Sequence, residues 1–357
     1  MLIFVGISRR YASYINPKPK GKTKMKKVLS LVLVLALTLG MCISLASCKK
    51  EEKNHYVVGI IQLAPHPALD SATQGFKDAL TAKLEAEGKT VEFKYENAQG
   101  DSNTCSTIVN SFISSNVDLI MANATAALAA AYNATSTIPV LGTSITEYGV
   151  ALSLDDFNGT VGGNVSGTSD LAPLTEQAQM MIDTLGLESG AKVGLLYCSS
   201  EPNSQYQVDV VEEYLSAKGM VCTHYKFSDS NDLATITQKA ASESDAIYVP
   251  TDNTVASNTE IINNICEPLK MPIFAGEEAT CAGCGYATLA ISYYNIGSVT
   301  GEMAAEILLG TSKIEDMAIR YDANPVKKYN KAACENLGID VATLEAAGYT
   351  MIEGTDK

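Results

Sequence analysis

Tryptophan is absent from this 357-residue sequence, and histidine occurs three times, at His55, His66 and His224. Without an indole, any aromatic guest has to be flanked by tyrosine or phenylalanine, of which there are 17 and 7. The scarcity of histidine removes the usual general base, and no nucleophile–base pair is visible along the chain. His66 lies between Pro65 and Pro67, a setting for a structural or edge-of-cleft residue rather than a catalyst. No His, Asp and Glu set has metal-ligand spacing. Cys281-Ala282-Gly283-Cys284 has no second CxxC to complete a zinc site. Gly159, Gly162, Gly163 and Gly167 form no phosphate loop, because neither GxGxxG nor GxxxxGK[ST] stands in a strand-to-helix setting. Neither catalysis nor a cofactor nor a bound metal is expected.

Positive charge is also short. Met1–Ser47 holds eight of the 26 Lys+Arg and none of the 40 Asp+Glu. Residues 48–357 therefore carry 18 basic against 40 acidic side chains, a balance of −22. Such a body repels nucleic acid and anionic lipid alike. Setting Cys42 and Cys48 aside, seven cysteines remain, an odd number that cannot all pair internally. Tyr197-Cys198 and Val221-Cys222 sit in strand-like runs and read as buried thiols acting as small hydrophobes. The CxxC reads as a local disulfide or thiol pair stiffening a surface loop.

What the chain does have begins at Met25-Lys26-Lys27, followed by an apolar run from Val28 to Leu39 and by Leu45-Ala46-Ser47-Cys48. A basic flank before an apolar core is a secretory signal. Its end resembles the lipobox of bacterial lipoproteins, which implies that Cys48 is lipidated and becomes the first mature residue. Cys42 does not qualify, because Met41 before it is too large. The alternative is a membrane anchor, since the twenty residues Val28–Ser47 are about enough to span a bilayer. The signal's ordinary start is Met25, so residues 1–24 are expected not to be translated. A charged tether, residues 48–55, follows.

The body alternates strand-like and helical runs. Tyr56–Gln62, Val91–Tyr95, Asp118–Asn123 and Ile138–Gly142 read as strands, separated by helical patterns over Ala68–Glu87, Asp101–Ser115 and Thr125–Asn133. After a glycine-rich passage, Asn158–Thr168, the rhythm restarts. Strands are expected at Lys192–Cys198, Val221–Phe227, Ala246–Pro250, Met271–Ala275 and Thr288–Tyr293. Helices are expected over Thr175–Leu187, Ser204–Lys218, Asn231–Ser242, Asn253–Leu269 and Gly297–Leu309. Short, nearly continuous apolar strands alternating with helices predict an α/β protein with two doubly wound parallel-sheet lobes. Ligands of such sheets bind outside the carboxyl ends of the strands.

The loops at those ends are polar and offer no Lys or Arg. Thr125, Thr143 and Ser144 have the form of a carboxylate cradle, a hydroxyl beside free N–H groups at a helix start. Thr125 reads equally as a plain N-cap. Asp252, between Thr251 and Asn253, is the best counter-charge for an ammonium group, and a helix-capping role is compatible with that.

The runs GIIQLAPHPALDSATQG (Gly59–Gly75), YENAQGD (Tyr95–Asp101), IYVPTDNTVA (Ile247–Ala256), FAGEE (Phe274–Glu278) and ISYY (Ile291–Tyr294) resemble the substrate-binding lipoproteins of ABC importers in the tryptophan/tyrosine-binding group. The resemblance implies a type I periplasmic binding fold with three crossover segments. Lobe I would be 56–167 plus 292–321, and lobe II 168–291 plus 322–357. It implies a monomeric extracytoplasmic receptor, held to the membrane by its lipid alone and delivering to an ABC permease and its ATPase. The expected ligand is a small zwitterion, an aromatic amino acid above others. By analogy, Thr125, Thr143 and Ser144 take the carboxylate and Asp252 the ammonium, with Gln62, Tyr95, Asn97, Glu201, Asn203 and Glu278 lining the pocket. A nucleoside or sugar ligand, or a sensor domain, is the alternative.

Overall fold

A computed structural model of the chain describes residues 53–322 and 324–354; the leader, Cys48 and the tether up to Glu52 lie outside them. From Asn54 onward the described residues belong to one compact unit. The β-branched runs become strands of two separate sheets. The first holds β1 (His55–Gln62), β2 (Thr90–Asn97), β3 (Leu119–Asn123), β4 (Val140–Ile145), β5 (Val165–Ser169) and β11 (Arg320–Tyr321), ordered β11-β5-β4-β3-β1-β2. The second holds β6 (Lys192–Cys198), β7 (Val221–Phe227), β8 (Ala246–Val249), β9 (Ile273–Ala275), β10 (Ala287–Ala290), β12 (Val326–Tyr329) and β13 (Thr350–Met351), ordered β13-β12-β10-β9-β8-β6-β7.

All pairings in the first sheet are parallel, and in the second only β10 with β12 is antiparallel. Both sheets repeat one strand order, so each has a crevice where the winding reverses, between β1 and β3 and between β6 and β8. Helices cover both faces. Ile61, Phe112, Ile120 and Leu128 pack on one side of the first sheet, and Ile60, Phe76, Leu80 and Met303 on the other. Tyr197, Val208, Tyr248 and Phe274 pack on one side of the second sheet, and Leu196, Leu233, Ile247 and Ile262 on the other. Strands buried on both faces explain why the sequence shows apolar runs rather than alternation.

The chain passes between the sheets three times: after Ser169, between Ala290 and Tyr293, and after Tyr321. On its return it forms helix Tyr293–Leu308, which packs closely on helix Pro67–Ala86. A Cβ added to Gly297 would stand 2.0 Å from the Ala72 carbonyl oxygen, and one on Gly75 2.1 Å from that of Tyr294. Glycine at these positions lets the two backbones touch, which fixes where both helices begin.

Several expectations are corrected. The Gly-rich passage contains strand β5, because small residues fit beside β4: a Cβ on Gly167 would meet the Gly142 oxygen at 2.0 Å. The helix expected over Asn253–Leu269 is two, Asn253–Ala256 and Thr259–Cys266, since Asn258 leaves helical geometry. The strand expected over Thr288–Tyr293 ends at Ala290, because the Ser292 hydroxyl accepts from Asn295 N–H and caps a helix beginning at Tyr293. The CxxC is not a surface loop or a disulfide. It lies on helix Glu278–Cys284, with both thiols free and buried, because the cysteine side of that helix faces the core.

Candidate functional site

The carboxyl ends of the strands in the two sheets face one another. Between them lies a narrow enclosed cavity of about 10 Å³. From the first sheet's side it is lined by His66 and Leu69 after β1, Ser144 and Thr146 at the end of β4, and Asp170 after β5. From the other side come Asn203, Thr251, Asp252, Asn253 and Ala256, with Glu277 after β9 and Tyr293 at the start of the returning helix. A larger, solvent-open groove runs alongside, lined by Leu63, Thr125, Ala126, Glu201, Asn203 and Thr254 among others. No Lys or Arg lines either space.

The cavity is unusual in what its polar atoms lack. Among the described residues, seven buried side-chain atoms have no hydrogen-bond partner; three of them, His66 Nδ1, Ser144 Oγ and Asp170 Oδ1, belong to its wall. An unmet buried polar group costs about 1–3 kcal/mol, so three around one void mark a place built for a guest. Backbone strain adds to this. Ser144 holds φ 56° and Ala124, at the end of β3, holds φ 88°. Side chains other than glycine adopt such angles at a cost, and sites are where that cost is kept.

Three carboxylates sit in this wall: Asp170, Asp252 and Glu277. Asp170 is 4 % exposed; its Oδ2 accepts from Tyr293 OH at 2.8 Å. Burial pushes its carboxyl up to about 6, opposed by the Tyr293 bond and helped by nearby Glu277. Asp252 accepts from Cys198 N–H at 2.7 Å, Ser204 Oγ at 2.8 Å and Val255 N–H at 2.9 Å. Burial first, then the neighbouring Glu201 charge, push Asp252 upward. Glu277 caps helix Glu278–Cys284 by accepting from the N–H groups of Ala279 and Thr280.

The expected site residues divide by position. Ser144, Asn203 and Asp252 line the cavity, and Asn203 also reaches the groove. Thr125 and Glu201 line the groove alone. Thr125 is the first helical residue rather than the cap, a position held by Ala124. Glu201 braces the wall: it accepts from the N–H groups of Asn253 and Thr254 at 3.0 and 2.8 Å. Thr143 is buried against Thr168 Oγ1 at 3.2 Å, and lines neither space.

Gln62 is buried and spends its amide on Ala64 O, Asp70 and Thr73, bracing the loop after β1. Tyr95 is 40 % exposed beneath the Lys77 ammonium, and Asn97 donates to its hydroxyl at 3.2 Å. Glu278 pairs with Lys328 at 2.6 Å. None of these four residues lines the cavity or the groove. Sequence reading missed Thr146, Asp170, Glu277 and Tyr293. Of the pair Glu277-Glu278 at a strand end, the sequence marked Glu278, and it is Glu277 that lines the cavity.

No metal set was legible in the spacing, yet folding brings Asp209, Glu212 and His224 together, with ligand atoms within 4.8 Å of one another. Asp209 and Glu212 stand on helix Pro202–Ala217 beside edge strand β7, which carries His224, so sequence distance hid the group. It lines neither the cavity nor the groove.

Known proteins match this arrangement. A family model described as ABC transporter substrate binding protein matches residues 57–346. A tyrosine-binding protein of Clostridioides difficile is 35% identical over 267 residues, covering 74% of this chain and 76% of that protein. A domain from Streptococcus pneumonia solved in complex with L-Trp superposes with a TM-score of 0.77 at 29% identity, covering 84% of this chain and all of its own. The ligand-free, open structure of a substrate-binding protein with adhesive properties from Clostridium difficile gives 0.62 at 32% identity over the same 84%, and again all of that chain. Of these two structures, the one holding a ligand superposes better.

Proposed function

Because the chain belongs to the ABC transporter substrate-binding proteins, a family that binds solutes rather than converting them, we propose that it is the extracytoplasmic receptor of an importer, capturing an aromatic amino acid. The carrying observation is one enclosed cavity, walled from both sheets, that holds unpartnered Ser144, His66 and Asp170 atoms and no cationic side chain. A zwitterion supplies what such a wall needs: an ammonium group for the acids and a carboxylate for the hydroxyls. Leu69, Ala256 and the Tyr293 ring provide its apolar surface. The cavity itself is too tight for a whole amino acid, and the adjoining groove of about 780 Å³ supplies the room for a guest of that size. The tyrosine-binding relative and the L-Trp-bound neighbour favour an aromatic side chain.

Closing would be driven by the guest, whose contacts to both walls exist only when the lobes meet. Lipid on Cys48 would hold the receptor at the membrane as a monomer beside its permease and ATPase. No helix among the described residues is long and apolar enough to cross a membrane.

The test is a thermal-shift screen of the twenty amino acids, nucleosides and simple sugars. At 100 times its dissociation constant the true ligand adds about 2.7 kcal/mol, and tyrosine or tryptophan is expected to lead. A shift confined to nucleosides or sugars would sink this reading.

A further inference from the structure

The cavity wall distinguishes its acids by what their oxygens already do. Asp252 has donors on both oxygens, from Cys198, Ser204 and Val255. Glu277 likewise spends both oxygens on helix N–H groups. Every oxygen of these two carboxyls already accepts from the protein, and both act as caps. Asp170 differs: Tyr293 holds its Oδ2 and the Thr146 hydroxyl lies near the carboxyl, while its Oδ1 has no hydrogen-bond partner among the described residues. With no Lys or Arg lining the cavity, no cation among the lining residues meets that oxygen. Leaving a buried carboxylate half-met is costly, and a cation is the group that repays most.

The tautomer of His66 points the same way. Asn253 Nδ2 donates to Glu201 Oε2 at 2.7 Å, which fixes the orientation of its amide. Asn253 Oδ1 therefore faces His66 Nε2 at 3.2 Å and accepts from it. A ring that donates through Nε2 keeps a lone pair on Nδ1, which is buried and unpartnered in a residue of the cavity wall. Two unpartnered acceptors, Asp170 Oδ1 and His66 Nδ1, thus belong to residues that wall one space. Ser144 Oγ, also unpartnered, has a proton to give.

We propose that the guest's ammonium group docks on Asp170 Oδ1 and His66 Nδ1, so that these residues select ligands carrying a protonated amine, while Ser144 donates to the carboxylate. This moves the ammonium role from Asp252 to Asp170, and it rests on the zwitterion reading above. Tyr293 is the positioning residue, since its hydroxyl holds Asp170 so that Oδ1 is left for the guest.

The deciding experiment is calorimetry on the full chain with L-tyrosine and L-tryptophan, and with their deaminated analogues, 3-(4-hydroxyphenyl)propionate and indole-3-propionate. The unsubstituted protein should prefer each amino acid over its analogue by about 100-fold or more. Asp170→Asn should lose about 30-fold for the amino acids and little for the analogues, so that the preference collapses. Asp252→Asn should lower the melting temperature yet keep the preference. A second measurement needs no variant: near pH 6, amino-acid binding in buffers of different ionisation enthalpy should report proton release, and binding of the analogues should not. Asp170→Asn with an undiminished preference, or amino-acid binding without proton release, overturns the assignment alone. An unsubstituted protein that binds neither amino acid overturns the zwitterion reading and this assignment with it.

Discussion

His66 and Asn253 meet across the cleft: the ring Nε2 of one lies 3.2 Å from the amide oxygen of the other. Each stands at the start of a helix, His66 as N-cap of Pro67–Ala86 and Asn253 as first residue of Asn253–Ala256. The contact joins the loop after β1 to the loop after β8, and opening the cleft has to break it.

Removing that contact is expected to favour the open form. Asn253→Ala should weaken ligand binding about 5- to 10-fold, the worth of one hydrogen bond. Glu201 retains Thr254 as a partner, so the wall should survive and thermal stability should change little. Calorimetry and small-angle scattering check both parts; an unchanged affinity with an unchanged scattering curve would show that the bond holds nothing shut.

The pH dependence of the unliganded protein follows from Asp170. Its ordinary value is 3.8 and burial raises it to about 6, so the native state keeps a proton that the unfolded chain has already lost in between. Stability should therefore fall as pH rises from about 4 to 6, then level off in this respect. Asp170→Asn should flatten the slope in that window, read from chemical denaturation at successive pH values. Tyr293, Thr146 and Glu277 are the groups acting on Asp170, and none of them supplies a positive charge.

Gly297 tests whether helix packing sets the site. Gly297→Val would drive a side chain into the Ala72 carbonyl, which the Cβ alone would approach to 2.0 Å. Destabilisation of about 3 kcal/mol or more is expected, since backbone rather than a flexible side chain blocks the way. Because the displaced helix begins at Tyr293, ligand affinity should fall along with it. A variant melting within a degree or two of the parent would contradict this packing.

The thiols should be inert in the native state. Burial pushes Cys105 and Cys198 up to about 11 and Cys266 and Cys334 up to about 12. Cys281 and Cys284 are driven higher still, again by burial. Of the seven described cysteines only Cys222 is not buried, so an aromatic disulfide reagent at pH 7 should reach that one first, slowly because burial raises its thiol to about 11 as well, and the others after unfolding. Cys281→Ser/Cys284→Ser should leave affinity within about twofold but cost about 1–3 kcal/mol of stability, because hydroxyls replace thiols in an apolar setting. Loss of binding in a still-folded double variant would return the CxxC to the functional residues.

Most of the fold could be read along the chain because each strand is buried on both faces. Ile60-Ile61 and Leu119–Ala122 announce themselves without any partner being known. β5 was hidden because its fit beside β4 depends on Gly167 having no side chain, which looks in sequence like a loop. The CxxC helix was hidden for a related reason: short, with Gly283 inside it, it has little helical signal of its own.

At the site, local chemistry marked Ser144, Asn203 and Asp252 as strand-end residues, and each does line the cavity. It could not mark Asp170 or Tyr293, whose meeting requires the chain to leave the first sheet, build the second and return, 123 residues later. Nor could it tell a carboxylate already held by N–H groups from one with a free oxygen. Composition and periodicity determined an acidic α/β body of parallel strands buried on both faces. Only the packing of distant segments decided which polar atoms stay unmet, because hydrogen-bond satisfaction depends on neighbours that the linear order does not contain.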